Sequence, residues 1–270
     1  STPLYSSAAS DVYKRQVVIM ESIMLAAGIG SRLSERNKNY PPKCLLTFNG
    51  KSLLARHIEI LKSCGIQKLT LIIGYRADQI EAEISKVNGS GFVETIVNPD
   101  YREGSIVSLS HAKKAMQSGT EILFMDADVL YHSGLIERLV SSKQDCHILY
   151  DRNYEPGDDP VLLCLNGDKI VEFKKEPDLT FDQVGEWPGF VKWSSKAAIE
   201  LISIIERKIN SGQTKLPCED VFREYMLKSE TPNIYCDDIT GIPWIEIDFP
   251  DDIDRARNVC LLYTSPSPRD

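Results

Sequence analysis

Residues 21–54 read ESIMLAAGIGSRLSERNKNYPPKCLLTFNGKSLL. The apolar run Ser22 to Leu25 has the length and texture of a short buried strand. It opens into Ala26, Ala27, Gly28, Gly30 and Ser31, then one arginine, Arg32. Small residues after a strand let backbone N–H groups approach an anion closely, and a turn of such groups forms a concave nest. Arg32 adds a planar fork that can hold two phosphate oxygens. Lys43 follows after Pro41 and Pro42, which stiffen its approach. The string is neither GxGxxG, because Leu33 holds the third glycine position, nor GxxxxGK[ST]. Taken alone, two glycines fit an ordinary tight turn with a surface Arg and Lys.

Working outward, Leu53, Leu54, Ile58 and Leu61 share a helical face, with Ser52 as N-cap and Gly65 as the stop. KLTLIIGY reads as a fully buried strand, ADQIEAEISKV as a helix with an Ile80/Ile84 stripe, and FVETIVN as a strand. SIVSLSHAKKAMQ is read as one helix, EILFMDAD as a buried strand, SGLIERLVSS as a helix and CHILYD as a strand. This alternation predicts an α/β fold with a mixed, mostly parallel, Rossmann-like sheet covered by helices on both faces. Ligands then bind beyond the carboxyl ends of the strands, after Leu25, Ile73 and Met125. The second half is richer in β structure. VLLCLNGDKIVEFKK reads as a hairpin turning at Asn166-Gly167, and GEWPGFVKW as one further strand. WIEIDFP is a strand followed by a helix started by Pro250.

Composition limits what this chain can do. Its 270 residues are 42% hydrophobic, with a net charge of −8 and a pI near 5.2. That balance disfavours general nucleic-acid binding, which needs a phosphate-neutralising face. No apolar run nears the roughly 18 residues of a membrane span, so no membrane partner is expected. The seven cysteines (44, 64, 146, 164, 218, 236 and 260) are scattered without CxxC spacing and read as free thiols. The four histidines lack metal-binding spacing and read as structural or exposed. STPLYSSAASDVYKRQ and LLYTSPSPRD at the ends resemble translated cloning adapter and are set aside from the fold. Met20 then reads as the natural start, no signal peptide is expected, and the cytoplasm is the default location.

LAAGIGSRL with PPKCLLTFNGKSLLARHIEILKSCGI resembles the signature of nucleotidyltransferases that activate small phosphorylated compounds with an NTP. The resemblance spans nearly all of residues 20–260 and is closest to the cytidylyltransferases of phosphocholine and of phosphonates such as 2-aminoethylphosphonate. Outside it lie the adapter-like flanks 1–19 and 261–270. The domain at 20–260 would comprise a nucleotide-binding half, 20–150, and a smaller β-rich acceptor-binding half, 151–260. The resemblance implies that Gly28, Gly30 and Ser31 cradle the nucleotide phosphates, with Leu25, Ala26 and Ala27 also nucleotide-binding, that Arg32 binds the leaving pyrophosphate, and that Lys43 steadies the α-phosphate. Gly74, Tyr75, Ser105 and Ser108 are the implied contacts to base or ribose. Recognition of CTP is carried by the resemblance only.

Two acidic pairs point to Mg²⁺, which takes hard oxygen ligands. Asp126 and Asp128 end the FMDAD strand two residues apart, so they face opposite sides of an extended chain and one of them reaches the ion. The family pattern favours Asp128. In WIEIDFP it implies Asp248 as a further ligand, with Glu246 beside it. Carboxylates converging there repel each other unless a cation is present.

The acceptor pocket is expected in the second half, among Tyr154, Glu186, Trp187 and Trp244, with Phe190 and Trp193 as further aromatic candidates. Aromatic faces suit a quaternary ammonium, and carboxylates such as Glu155, Asp158, Asp159 and Glu186 suit a primary amine. Any single Trp or Phe here also fits a core position. The implied reaction is CTP plus a small phosphorylated or phosphonylated acceptor, giving a CMP-activated product and pyrophosphate. A homodimer is left open. The alternatives are a sugar-1-phosphate nucleotidyltransferase and a non-catalytic nucleotide-binding module.

Overall fold

A computed structural model describes residues 19–34, 40–154, 160–228 and 233–262. The flanks 1–18 and 263–270, and the acceptor candidates Glu155, Asp158 and Asp159, lie outside the described residues.

A seven-stranded sheet organises the molecule. Its order from edge to edge is Ile234–Asp238, Cys146–Tyr150, Phe190–Trp193, Glu121–Asp126, Met20–Ala26, Leu69–Ile73 and Val93–Val97. Phe190–Trp193 alone runs against the others. The expected α/β architecture with a mixed, mostly parallel sheet is therefore observed. Neighbouring residues of the central strands enter opposite layers. Ile23, Ile72, Ile122 and Phe124 pack into one core, and Met24, Leu71, Leu123 and Met125 into the other. Burial on both faces explains why these strands read as continuous apolar runs rather than as alternating ones.

Helix Leu53–Ser63 begins where Ser52 accepts a hydrogen bond from the Ala55 N–H at 3.1 Å. It sends Leu54, Ile58 and Leu61 into the second core. Leu53 turns to a third cluster with Leu33, Phe48, Ile245 and Ile247, so the four-residue face splits between two cores. Helix Ala77–Lys86 buries Ile80 and Ile84 as expected. The helix expected over SIVSLSHAKKAMQ is two, Ser105–His111 and Lys113–Met116, with Ala112 as their junction.

The second half contributes a three-stranded antiparallel sheet with Leu162–Asn166 at its centre, besides helices and two strands of the large sheet. Its hairpin turns at Asn166-Gly167, where Gly167 takes φ +57°. GEWPGFVKW is not one strand. Gln183–Glu186 belongs to the small sheet and Phe190–Trp193 to the large one, separated at Gly189 with φ +86°. No helix among the described residues is long and apolar enough to cross a membrane.

Candidate active site

Strand order reverses at Met20–Ala26. The chain runs outward from it to Leu69–Ile73 and Val93–Val97, then returns to its other side with Glu121–Asp126. Such a switch point opens a crevice at the carboxyl ends of the strands. The parallel register sets Leu25 opposite Asp126, so the glycine turn and the acidic turn lie side by side. Strand Trp244–Glu246 pairs antiparallel with Val129–Tyr131, and the Ile247 N–H donates to the Asp128 carbonyl at 3.0 Å. This late pairing brings the second acidic pair onto the first across more than a hundred residues.

Asp128, Glu246 and Asp248 each offer an oxygen within 4.8 Å of the others. Asp126 is not in that set: a Cβ at Gly189 would come 2.7 Å from its Oδ2. Of the first acidic pair, Asp128 alone joins the converging group. Hard oxygens in such a group suit a divalent cation. Burial first, then the charges of Asp128 and Asp248, raise the Glu246 carboxyl well above its ordinary range. Burial and Asp128 do the same to Asp126.

Two cations meet the acids. Lys43 Nζ lies 2.9 Å from Asp128 Oδ2 and 2.5 Å from Asp248 Oδ1. Burial acts to lower its pKa, but Asp128 and Asp248 overcome it and hold the ammonium above its usual value. Arg32 Nη1 donates to Asp248 Oδ2 at 2.6 Å, and its guanidinium lies 5.3 Å from the Phe249 ring centre. The glycine turn makes room for Lys43. Gly30 takes φ +66°, and a Cβ there would sit 3.2 Å from Lys43 Cγ. Glycine is thus required both for the left-handed turn and for the lysine stem that crosses it.

A cavity of about 280 Å³ extends from the glycine turn. Leu25, Ala26, Ala27, Gly28, Gly30, Ser105 and Ser108 line it, beside Lys43, Asp128 and Glu246. Ser105 Oγ also accepts the Cys218 N–H at 2.7 Å, and Ser108 Oγ accepts from Asn98 Nδ2 at 3.0 Å. Ser31, Gly74 and Tyr75 are not on its wall. Gly74 sits one layer behind, where a Cβ would strike Tyr101 at 2.6 Å, and Tyr101 itself lines the cavity. Tyr75 donates its N–H to the Ala27 carbonyl and rests its ring 6.3 Å from Tyr101.

A second cavity of about 320 Å³ also borders the carboxylates, bounded by Tyr154, Glu186, Trp244, Glu246, Asp248 and Arg255. Trp187 is a correction: it lines neither cavity. It is buried against Phe124, Phe173 and Phe222 and donates its indole N–H to the Phe190 carbonyl at 3.0 Å. Phe190 and Trp193 are core as well. The short strand before Gly189 turns Trp187 inward while Glu186 faces the cavity.

Sequence reasoning missed Asp151, Tyr101, Glu103, Cys218 and Glu219. Asp151 accepts the Trp244 indole N–H at 2.8 Å on one oxygen and the Asn153 N–H at 2.8 Å on the other. Cys218 and Glu219 reach the first cavity because the Leu216 carbonyl accepts the Ile106 N–H at 3.2 Å, a pairing with no local signal. Cys44 also lines that cavity, but burial and then Asp128 push its thiol up to about 12. His57, a structural histidine as expected, is fully buried between the Tyr131 hydroxyl and the Ala127 carbonyl, 3.1 Å from each. Burial lowers its pKa to about 4, so it is neutral. The six described cysteines are free thiols, as expected.

Residues 22–172 match the MobA-like NTP transferase domain, and the chain belongs to that family. It is a nucleotidyltransferase of cytidylyltransferase-like type. A CTP:phosphoglutamine cytidylyltransferase of Campylobacter jejuni is 24% identical over 87% of this chain and 98% of its own. A choline-phosphate cytidylyltransferase of Streptococcus pneumoniae is 27% identical over 89% and 98%. Among solved structures, the CTP:phosphocholine cytidylyltransferase from S. pneumoniae superposes with a TM-score of 0.73 at 22% identity, over 90% of this chain and 99% of that one. That likeness shows the shared fold.

Proposed function

We propose that the protein transfers CMP from CTP to a small phosphorylated or phosphonylated acceptor, releasing pyrophosphate. The observation that carries this reading is the pair of cavities meeting at one carboxylate cluster, with Glu246 on the wall of both. A nucleotide on one side and an anionic acceptor on the other would then face each other across Asp128, Glu246 and Asp248. The names of the two cytidylyltransferase relatives support CTP as the donor.

In this reading, Gly28 and Gly30 take the triphosphate, and Ser105 and Ser108 lie toward the nucleoside. Lys43 offsets charge at the α-phosphorus and Arg32 holds the departing pyrophosphate. The acceptor oxygen is already an anion and attacks in line, so no general base is needed. The neutral, enclosed His57 and the high-pKa Cys44 thiol are consistent with that. Positioning and charge neutralisation carry the rate. Asp128, Glu246 and Asp248 would hold Mg²⁺, which supplies further charge neutralisation to both phosphates when bound.

The acceptor cavity favours a molecule with a cationic end. Tyr154 and Trp244 offer ring faces, and Glu186 a carboxylate. Asp151 is a positioning residue here, because both its oxygens are engaged in fixing Trp244 and the adjoining turn. The test is pyrophosphate release with CTP, UTP, GTP or ATP against phosphocholine, 2-aminoethylphosphonate, 2-hydroxyethylphosphonate and glucose-1-phosphate. Release confined to CTP with one of the first three is expected. Release with glucose-1-phosphate alone would move the protein to sugar activation.

A further inference from the structure

The Lys43 ammonium touches Asp128 Oδ2 at 2.9 Å and Asp248 Oδ1 at 2.5 Å. Both carboxylates belong to the group whose oxygens converge within 4.8 Å. An ammonium within hydrogen-bond distance of two of these carboxylates competes with a divalent ion for them. Placing a doubly charged cation there with the lysine still present sets like charges at contact distance. Arg32 on the remaining oxygen of Asp248 adds to the same positive field.

Lys43 has somewhere else to go. Its stem lies flat across Gly30, and the residue also lines the glycine-turn cavity. Lys43 thus borders both the carboxylates and the cavity, and a turn at the end of its side chain would exchange one for the other. A polyphosphate in the cavity would receive it with charge-assisted hydrogen bonds.

We infer that Lys43 is the exchangeable counter-ion of the carboxylate cluster, and that a divalent cation occupies the cluster only when a nucleoside triphosphate draws the lysine away. The inference rests on the nucleotidyl-transfer reading of the cavity. It goes further by assigning Lys43 two positions and by coupling metal entry to nucleotide entry. Three crowded acids are neutralised by the chain itself until the substrate arrives. Metal bound to nucleotide-free protein is then the disfavoured state, and nucleotide and cation enter together.

The experiment is Mn²⁺ binding to the full chain without nucleotide, read from the electron paramagnetic resonance signal of free Mn²⁺. The unaltered protein, Lys43→Met and Lys43→Gln are compared, with thermal melting as a check on folding. Mn²⁺ should bind both variants about tenfold or more tightly than the unaltered protein. Equal affinity overturns the inference and leaves the transferase reading standing. Failure of every form to take up Mn²⁺, even with CTP present, overturns both. Should neither variant fold, reductive methylation of Lys43 in the unaltered protein, followed by peptide mass spectrometry, decides. Its rate should not change with millimolar Mg²⁺ alone. Acceleration by Mg²⁺ without nucleotide would show the lysine displaced by metal and overturn the inference.

Discussion

Asp248 joins three parts of the candidate site, so Asp248→Asn is a demanding test of it. One oxygen meets Lys43 at 2.5 Å and the other meets Arg32 at 2.6 Å. A charge-assisted hydrogen bond is worth about 1.5–3 kcal/mol net, which taken alone suggests a large loss of stability. The surroundings reduce it. Lys43 keeps Asp128, and the Arg32 side chain is 40% exposed, so water compensates there. The change also relieves repulsion, leaving Asp128 and Glu246 facing Lys43 and Arg32. The expected stability cost is about 1 kcal/mol, a fall in melting temperature of about 2–4 °C. Turnover should suffer far more, because Asn is a poor ligand for a divalent cation and its single acceptor oxygen can hold only one of Lys43 and Arg32. A fall in kcat of about 10²–10³-fold is expected, on the scale of one preorganised charge-stabilising group. The assay is steady-state pyrophosphate release across a Mg²⁺ titration, with melting in parallel. A kcat within about threefold of the parent would refute the role given to Asp248. A collapse of the melting temperature that accounts for the lost activity would refute it too.

The His57 imidazole should make stability fall with acid. Its folded pKa is lowered from 6.5 to about 4, so the unfolded chain binds more protons between those values. The stability is full above about 6.5 and lost as pH falls toward 4, by about 3 kcal/mol in all. Urea unfolding at pH 7.5 and 5 should show a steeper loss in the parent than in His57→Gln, and equal losses would dismiss His57 as the source. Trp244→Ala should raise KM for the acceptor about tenfold while leaving KM for CTP unchanged, as read by initial rates; a matching rise for CTP would place Trp244 outside an acceptor site. Gly30→Ala forces a side chain into φ +66° against Lys43. It should cost about 1–2 kcal/mol of stability and lower kcat at least tenfold, by melting and turnover. Normal turnover would show that Lys43 does not depend on that turn.

The parts legible in the sequence were those written in local pattern. Continuous apolar runs such as LTLII and EILFM are what strands buried on both faces look like, and they located the central sheet. Gly28 and Gly30 marked one wall of the cavity, and at Gly30 a Cβ would press on the Lys43 stem. Asp128, Glu246 and Asp248 were legible as acids closing apolar strands, and the pairing of Trp244–Glu246 with Val129–Tyr131 brings them together. What stayed hidden depends on contacts distant in sequence. GEWPGFVKW carries no mark that its strands belong to different sheets until Gly189 is seen turning at φ +86°. Trp187 and Trp244 are equally aromatic, yet one fills the core and the other borders a cavity, a difference set by which strand each sits on. Cys218 and Glu219 come to the glycine-turn cavity through a loop anchored on Gly104, whose N–H donates to the Thr214 carbonyl at 2.8 Å.

The central claim is transfer of a cytidylyl group, and product analysis by ³¹P NMR tests it most directly. Purified protein would be incubated with CTP, Mg²⁺ and phosphocholine or an aminoalkylphosphonate. The account predicts a new CMP-linked phosphoanhydride signal and pyrophosphate in equal amounts, both lost in Asp248→Asn. Pyrophosphate accompanied only by free CMP, or CTP left intact with every acceptor, would contradict it.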